Sequence, residues 1–154
     1  MKTFRLFCAL FLFLFLILDA HMSFAFDWIK LHNKANTINA DSLARDLLPK
    51  ADTAWEFYVI GLVYLDQYKT LEAQMVFKEI LKKEPTNLSA QWGVAETLRR
   101  QHNYDQAVPM LERIIKQKPD FAPAYITLAY IRYIQRDFDA SIRLTGKVIN
   151  MGRK

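Results

Sequence analysis

The chain has 154 residues, 52% of them hydrophobic and 24% charged, with a formal net charge of +5. This balance supports one folded domain and excludes a disordered, highly charged polymer. Basic and acidic residues alternate and no basic run exceeds two or three residues, so the surplus charge biases toward acidic partners without forming a nucleic-acid stripe.

Residues 1–25 read as a secretory signal peptide. Lys2 and Arg5 give a positive start, Leu6 to Leu18 is an unbroken apolar run, and Ser23-Phe24-Ala25 supplies a cleavage site. As a helix that run covers about 20 Å, short of the roughly 30 Å hydrocarbon core. The expected location is therefore the periplasm or the exterior. The alternative is an inner-membrane anchor over residues 6–26, although Asp19 and His21 interrupt it. Cleavage removes Lys2, Arg5 and Asp19, two positive charges and one negative, which lowers the net charge from +5 to +4. It also removes Cys8, the only cysteine. A mature chain without disulfides in an oxidising compartment points to a bacterial periplasmic domain held by its core.

Residues 26–52 are expected to form an N-terminal helical cap. Trp28, Ile29 and Leu31 are apolar enough to pack, and Asn39 or Asp41 can cap a short helix carrying Leu43, Leu47 and Leu48 that Pro49 stops. Thr53 and Glu56 then make a capping box. A first helix is predicted to run to about Asp66, and Gln67-Tyr68-Lys69 turns the chain. A second helix follows from about Thr70 to Lys83, burying Ala73, Phe77 and Ile80 at helical spacing.

This pattern returns at one fixed interval. Gly61 becomes Ala95 and then Ala129; Ala73 becomes Ala107 and then Ser141; Ile80 becomes Ile114 and then Val148; Pro85 becomes Pro119. Small residues at these places let paired helices approach closely, and the proline ends each second helix. Three departures stand out. Gln91 holds the place of the aromatic Phe57, with Trp92 one residue later. Pro109 stands about a turn inside a predicted helix, where it should kink or delay it. In the last unit Arg132 stands where Tyr64 does in the first, with Tyr133 beside it, and Thr145 where Phe77 does.

The run Phe57, Ile60-Gly61, Tyr64, Ala73, Phe77 and Pro85 resembles the tetratricopeptide repeat (TPR) pattern position for position. The resemblance covers residues 54–154 and implies an all-α fold, a right-handed α-solenoid of antiparallel helix pairs. Its units would be 54–87, 88–121 and 122–154, the last slightly incomplete and uncapped.

The same resemblance implies a concave groove, lined by each unit's first helix, that binds a peptide. Carried onto this sequence, the groove positions are Trp55, Tyr58, Leu62 and Leu65, then Trp92, Glu96, Arg99 and Arg100, then Ile126, Tyr130, Tyr133 and Ile134. Tyr, Trp and Arg are over-represented among interface hot spots, although any of these residues could equally complete packing between repeats. The family's chaperone-clamping grooves use Lys and Asn at two places held here by Tyr58 and Leu62, which counts against that activity.

No catalytic constellation is legible. His32 and His102 are far apart, Cys8 is lost with the signal, and Glu79, Glu84 and Glu112 read as solvated charges. No enzyme activity, metal or cofactor is expected. The expected function is that of an exported adaptor that holds a segment of an envelope or secreted partner during assembly of a larger complex. The alternatives are a structural subunit self-associating through its last repeat, or the N-terminal part of a longer repeat protein.

Overall fold

The structure, a computed structural model, describes residues 40–153. The signal or anchor segment and the apolar residues around Trp28 lie outside the described residues. Within them the chain forms seven α-helices and no strand. A short helix α1 (Ala40–Leu47) runs into a 3-10 turn at Pro49. Three helix pairs follow: α2 (Ala54–Asp66) with α3 (Thr70–Lys83), α4 (Leu88–Arg100) with α5 (Tyr104–Gln117), and α6 (Ala122–Ile134) with α7 (Phe138–Met151). Among the described residues no helix is long and apolar enough to cross a membrane.

Local chemistry sets these boundaries. Thr53 Oγ1 accepts from the Glu56 backbone N–H, and Glu56 Oε2 accepts from those of Thr53 and Asp52 at 2.9 Å, so three orphan donors at the start of α2 are satisfied. Asn87 caps α4 and Asp137 caps α7 through their side chains. Each short turn inside a pair contains one residue in the left-handed region: Tyr68 (φ 59°), His102 (φ 60°) and Arg136 (φ 63°). They recur at the interval of the repeat, and each is followed by the same closing bond, from the N–H of Lys69, Asn103 or Asp137 back to the carbonyl of Tyr64, Leu98 or Arg132. Glycine would adopt this conformation without strain, yet none is used.

The core lies between successive helices. Phe77 is fully buried at its centre. A Cβ at Gly61 on α2 would come within 2.6 Å of its ring, and one at Gly93 on α4 within 2.5 Å, so two glycines on different helices make room for one phenyl. Ala73, Ala95 and Ala107 are likewise fully buried. Ala44 and Leu47 of α1 extend this core at the N-terminal end.

Of the two effects expected of Pro109, a kink or a delay, the delay needs correction. α5 is not delayed; it begins at Tyr104 and continues through the proline. Proline deprives only the carbonyl one turn back, that of Asp105 in the first turn, and both residues are exposed, so water can serve that carbonyl.

Candidate functional site: the face of the first helices

Helices α2, α4 and α6 present one side of each to a common open cavity of about 400 Å³. Leu62, Leu65 and Asp66 of α2 form one wall, Trp92, Glu96, Arg99 and Arg100 of α4 the floor, and Pro123, Ile126, Thr127 and Tyr130 of α6 the other wall.

A polar network ties the floor to both walls. The Trp92 indole donates to the Pro123 carbonyl at 3.1 Å and to Thr127 Oγ1 at 3.0 Å. Thr127 Oγ1 in turn donates to Glu96 Oε2 at 3.2 Å. Glu96, only 7% exposed, is gripped by both arginines. Arg99 binds it with two parallel bonds, Nε to Oε2 at 2.8 Å and Nη2 to Oε1 at 2.6 Å, and Arg100 Nε reaches Oε1 at 3.1 Å. Arg100 Nη1 also donates to the Leu65 carbonyl at 2.6 Å near the end of α2. Arg99 lies 4.5 Å over the Tyr130 ring. One carboxylate thus ties α2, α4 and α6 together through charged and neutral hydrogen bonds.

Burial alone would raise the Glu96 carboxyl, but the hydrogen bonds and charges of Arg99 and Arg100 outweigh it and hold the group below its ordinary range. Glu96 and the exposed Asp66 supply two negative charges against the two arginines. The middle of the groove is therefore electrically balanced.

Of the residues placed in the groove from sequence, the cavity brings together Leu62, Leu65, Trp92, Glu96, Arg99, Arg100, Ile126 and Tyr130. Trp55 stands outside it, half exposed at the start of α2. Tyr58 is taken up by packing, with its ring 6.0 Å from Phe77 and 6.5 Å from Trp92, and burial pushes its phenol above the ordinary value. Tyr133 and Ile134 are exposed elsewhere on α6, and Tyr133 meets Phe138 edge-on at 5.7 Å. Sequence reasoning missed Thr127 and Pro123. Thr127 stands one repeat after Gly93, at the place that faces the preceding unit, and only the folded chain shows its hydroxyl linking Trp92 to Glu96.

Among the described residues no three His, Cys, Asp or Glu side chains converge on a metal-sized site. His102 is exposed and bonds the Tyr104 hydroxyl at 2.9 Å.

Residues 64–129 match the family model described as tetratricopeptide repeat. No curated protein matches the chain in sequence. Among solved structures, MamA superposes with a TM-score of 0.58 at 15% identity, over 75% of this chain and 68% of MamA. MamA from residue 41 to its end, from Desulfovibrio magneticus RS-1, gives 0.57 at 18%, over 81% of this chain and 75% of that one. YrrB, described as a TPR protein with an unusual peptide-binding site, gives 0.58 at 15%, over 73% of this chain and 58% of YrrB. At such identities the likeness concerns the fold. Together with the recurring helix pairs, it shows an all-α helical-repeat fold, in which residues 64–129 match the tetratricopeptide repeat.

Proposed function

We propose that the protein is an interaction adaptor whose groove on α2, α4 and α6 holds a peptide through an uncharged, apolar anchor side chain. Tetratricopeptide repeats are a protein-interaction family, and YrrB is described as having a peptide-binding site. The observation that carries the reading is the Glu96 network. It fixes the floor of an open cavity while committing both arginines to an internal carboxylate, which leaves Leu62, Ile126 and the Tyr130 ring as the groups offered to a ligand. Preorganised, desolvated pockets beside aromatic side chains are where interface energy concentrates.

Selection from a displayed peptide library tests this. The parent chain should enrich peptides with a large apolar residue flanked by neutral ones, and Ile126→Asp should lose them while keeping its helicity. Enrichment of acidic peptides, or enrichment indifferent to Ile126→Asp, refutes it. Trp92 and Arg99 are poor probes, since replacing either breaks the network itself.

Export belongs to the same proposal. The positive start, the apolar run and Ser23-Phe24-Ala25 support a chain delivered across the inner membrane, to act in assembly of an envelope or secreted complex. Mass spectrometry of the chain from fractionated cells tests it. A mature N-terminus at Phe26 in the periplasm or medium is expected; an intact N-terminus in the cytoplasm would overturn it.

A further inference from the structure

Behind the groove the units meet through apolar contacts. The Phe77 ring fills the space left by Gly61 of α2 and Gly93 of α4, and Leu111, also fully buried, holds the corresponding place on α5. Such packing has no direction. It resists separation of the helices but tolerates a scatter of about 15–20° in their crossing angle. On the groove side the contacts are directional, and both joints close on one carboxylate. Arg100 spans the first joint, with Nη1 on the Leu65 carbonyl of α2 and Nε on Glu96 Oε1. Thr127 Oγ1 of α6 spans the second by donating to Glu96 Oε2. The two parallel bonds from Arg99 fix the plane of the carboxylate between them.

The repeat itself does not need this device. The place of Glu96 is held by Leu62 in the first unit and Tyr130 in the third, that of Arg99 by Leu65 and Tyr133, and that of Arg100 by Asp66 and Ile134. Yet α2, α4 and α6 are each 13 residues long and α3, α5 and α7 each 14. A helix pair therefore forms without the carboxylate, which acts between units rather than within one.

We infer that Glu96 is the positioning residue of the groove: it fixes the angles of α4 to α2 and to α6 together, and so the span between the two walls. This role rests on the groove being the working surface proposed above. The curvature of a repeat stack is the sum of small rotations between neighbours, so a restraint on the central helix governs all three. A release of about 10° at each of two joints lies within the scatter that apolar packing allows. Over a helix about 20 Å long it moves the far end by about 7 Å, enough to part the two walls. Walls held at a preset span receive a ligand without first having to be ordered.

Pulsed electron–electron resonance between two spin labels tests this, on the full chain with Cys8→Ser. Tyr68→Cys and Arg136→Cys place the labels on exposed residues just past the ends of α2 and α6, two interhelix steps or about 20 Å apart. The parent should give one narrow distance distribution. Glu96→Gln, which keeps the side chain's shape, should lengthen or broaden it by at least about 3 Å with unchanged helicity. Thr127→Val, which frees α6 alone, should do the same to a smaller extent, and it decides the matter if Glu96→Gln fails to fold. Ile80→Val trims the fully buried core on α3 without touching the network and should leave the distribution as in the parent. A parental distribution in both network variants, or equal broadening in Ile80→Val, overturns the role. No ligand is added, so the two readings fail separately. Unchanged distances alongside Ile126-dependent peptide enrichment sink the positioning role alone, whereas the expected distances with no peptide enriched sink the adaptor reading and leave Glu96 setting the span.

Discussion

Replacing Gly93 by alanine adds one methyl group in the middle of α4, where helix propensity favours alanine by about 0.8–1.0 kcal/mol. Elsewhere that gain decides the outcome. Here the new Cβ would lie 2.5–2.6 Å from three ring atoms of Phe77, well inside the 3.4 Å at which ordinary contact begins. The ring has little room to retreat, since it is fully buried and the space left by Gly61 on α2 is the space it already fills. Overpacking of this kind costs about 1–3 kcal/mol, so a net loss of about 1–2 kcal/mol is expected and a fall in Tm of several degrees. Gly146 on α7 provides the internal control: its Cβ would meet nothing within 4 Å, so Gly146→Ala should raise stability by up to about 1 kcal/mol. Thermal and urea unfolding followed by far-UV circular dichroism read both. In a Phe77→Leu background Gly93→Ala should become neutral or stabilising, a coupling of about 0.5–3 kcal/mol. If Gly93→Ala matched Gly146→Ala in sign, or kept its cost after Phe77→Leu, the idea that α2 and α4 approach through one phenyl ring would be wrong.

Three further outcomes follow from the site and the turns. Because its folded pKa is depressed, Glu96 contributes stability that is fully present above its ordinary pKa of about 4.5 and is lost as pH falls through the folded value. Glu96→Gln should therefore cost about 2 kcal/mol or more at neutral pH, and its deficit in urea titrations should shrink below pH 4.5; a pH-independent deficit would contradict this. Trp92→Phe strips the shared donor from Pro123 and Thr127 and should cost about 1–2 kcal/mol, with less than the full effect once Thr127 is already valine; additive losses would dissociate the two. Arg136→Gly relieves a left-handed backbone in an exposed turn and should raise Tm, the conformational gain being about 1 kcal/mol; a lower Tm would show that the arginine stabilises the turn by other means.

The architecture was legible because its causes are local and periodic. The Thr53–Glu56 box, the buried alanines and the return of small residues from unit to unit each constrain a few neighbours, and together they leave one way to stack the helices. Gly93 escaped notice since its role depends on a ring contributed by another helix, and a lone glycine carries no such address. The turns escaped for the opposite reason. Tyr68, His102 and Arg136 are side chains that a sequence reading does not assign to left-handed backbone, yet the closing bond to the carbonyl of Tyr64, Leu98 or Arg132 holds all three there.

The groove shows where reading by position stops. Family register placed Trp92, Glu96, Arg99 and Arg100 on one face, and the structure puts them around one cavity. Register says nothing of how charges pair once they are there. Arg99 and Arg100 look like a cationic lure for an acidic peptide until Glu96 is seen to accept from both, with Thr127 supplying its remaining partner. Removing a ligand's carboxylate from water is offset best by an uncompensated positive charge, and in this floor the arginines' charge is already offset by an internal acid. What distinguishes one ligand from another must then come from the rim, where Ile126 and Tyr130 are about half exposed and offer apolar surface. Specificity in this groove is accordingly a matter of shape and desolvation rather than net charge, and raising the salt concentration should leave peptide affinity nearly unchanged.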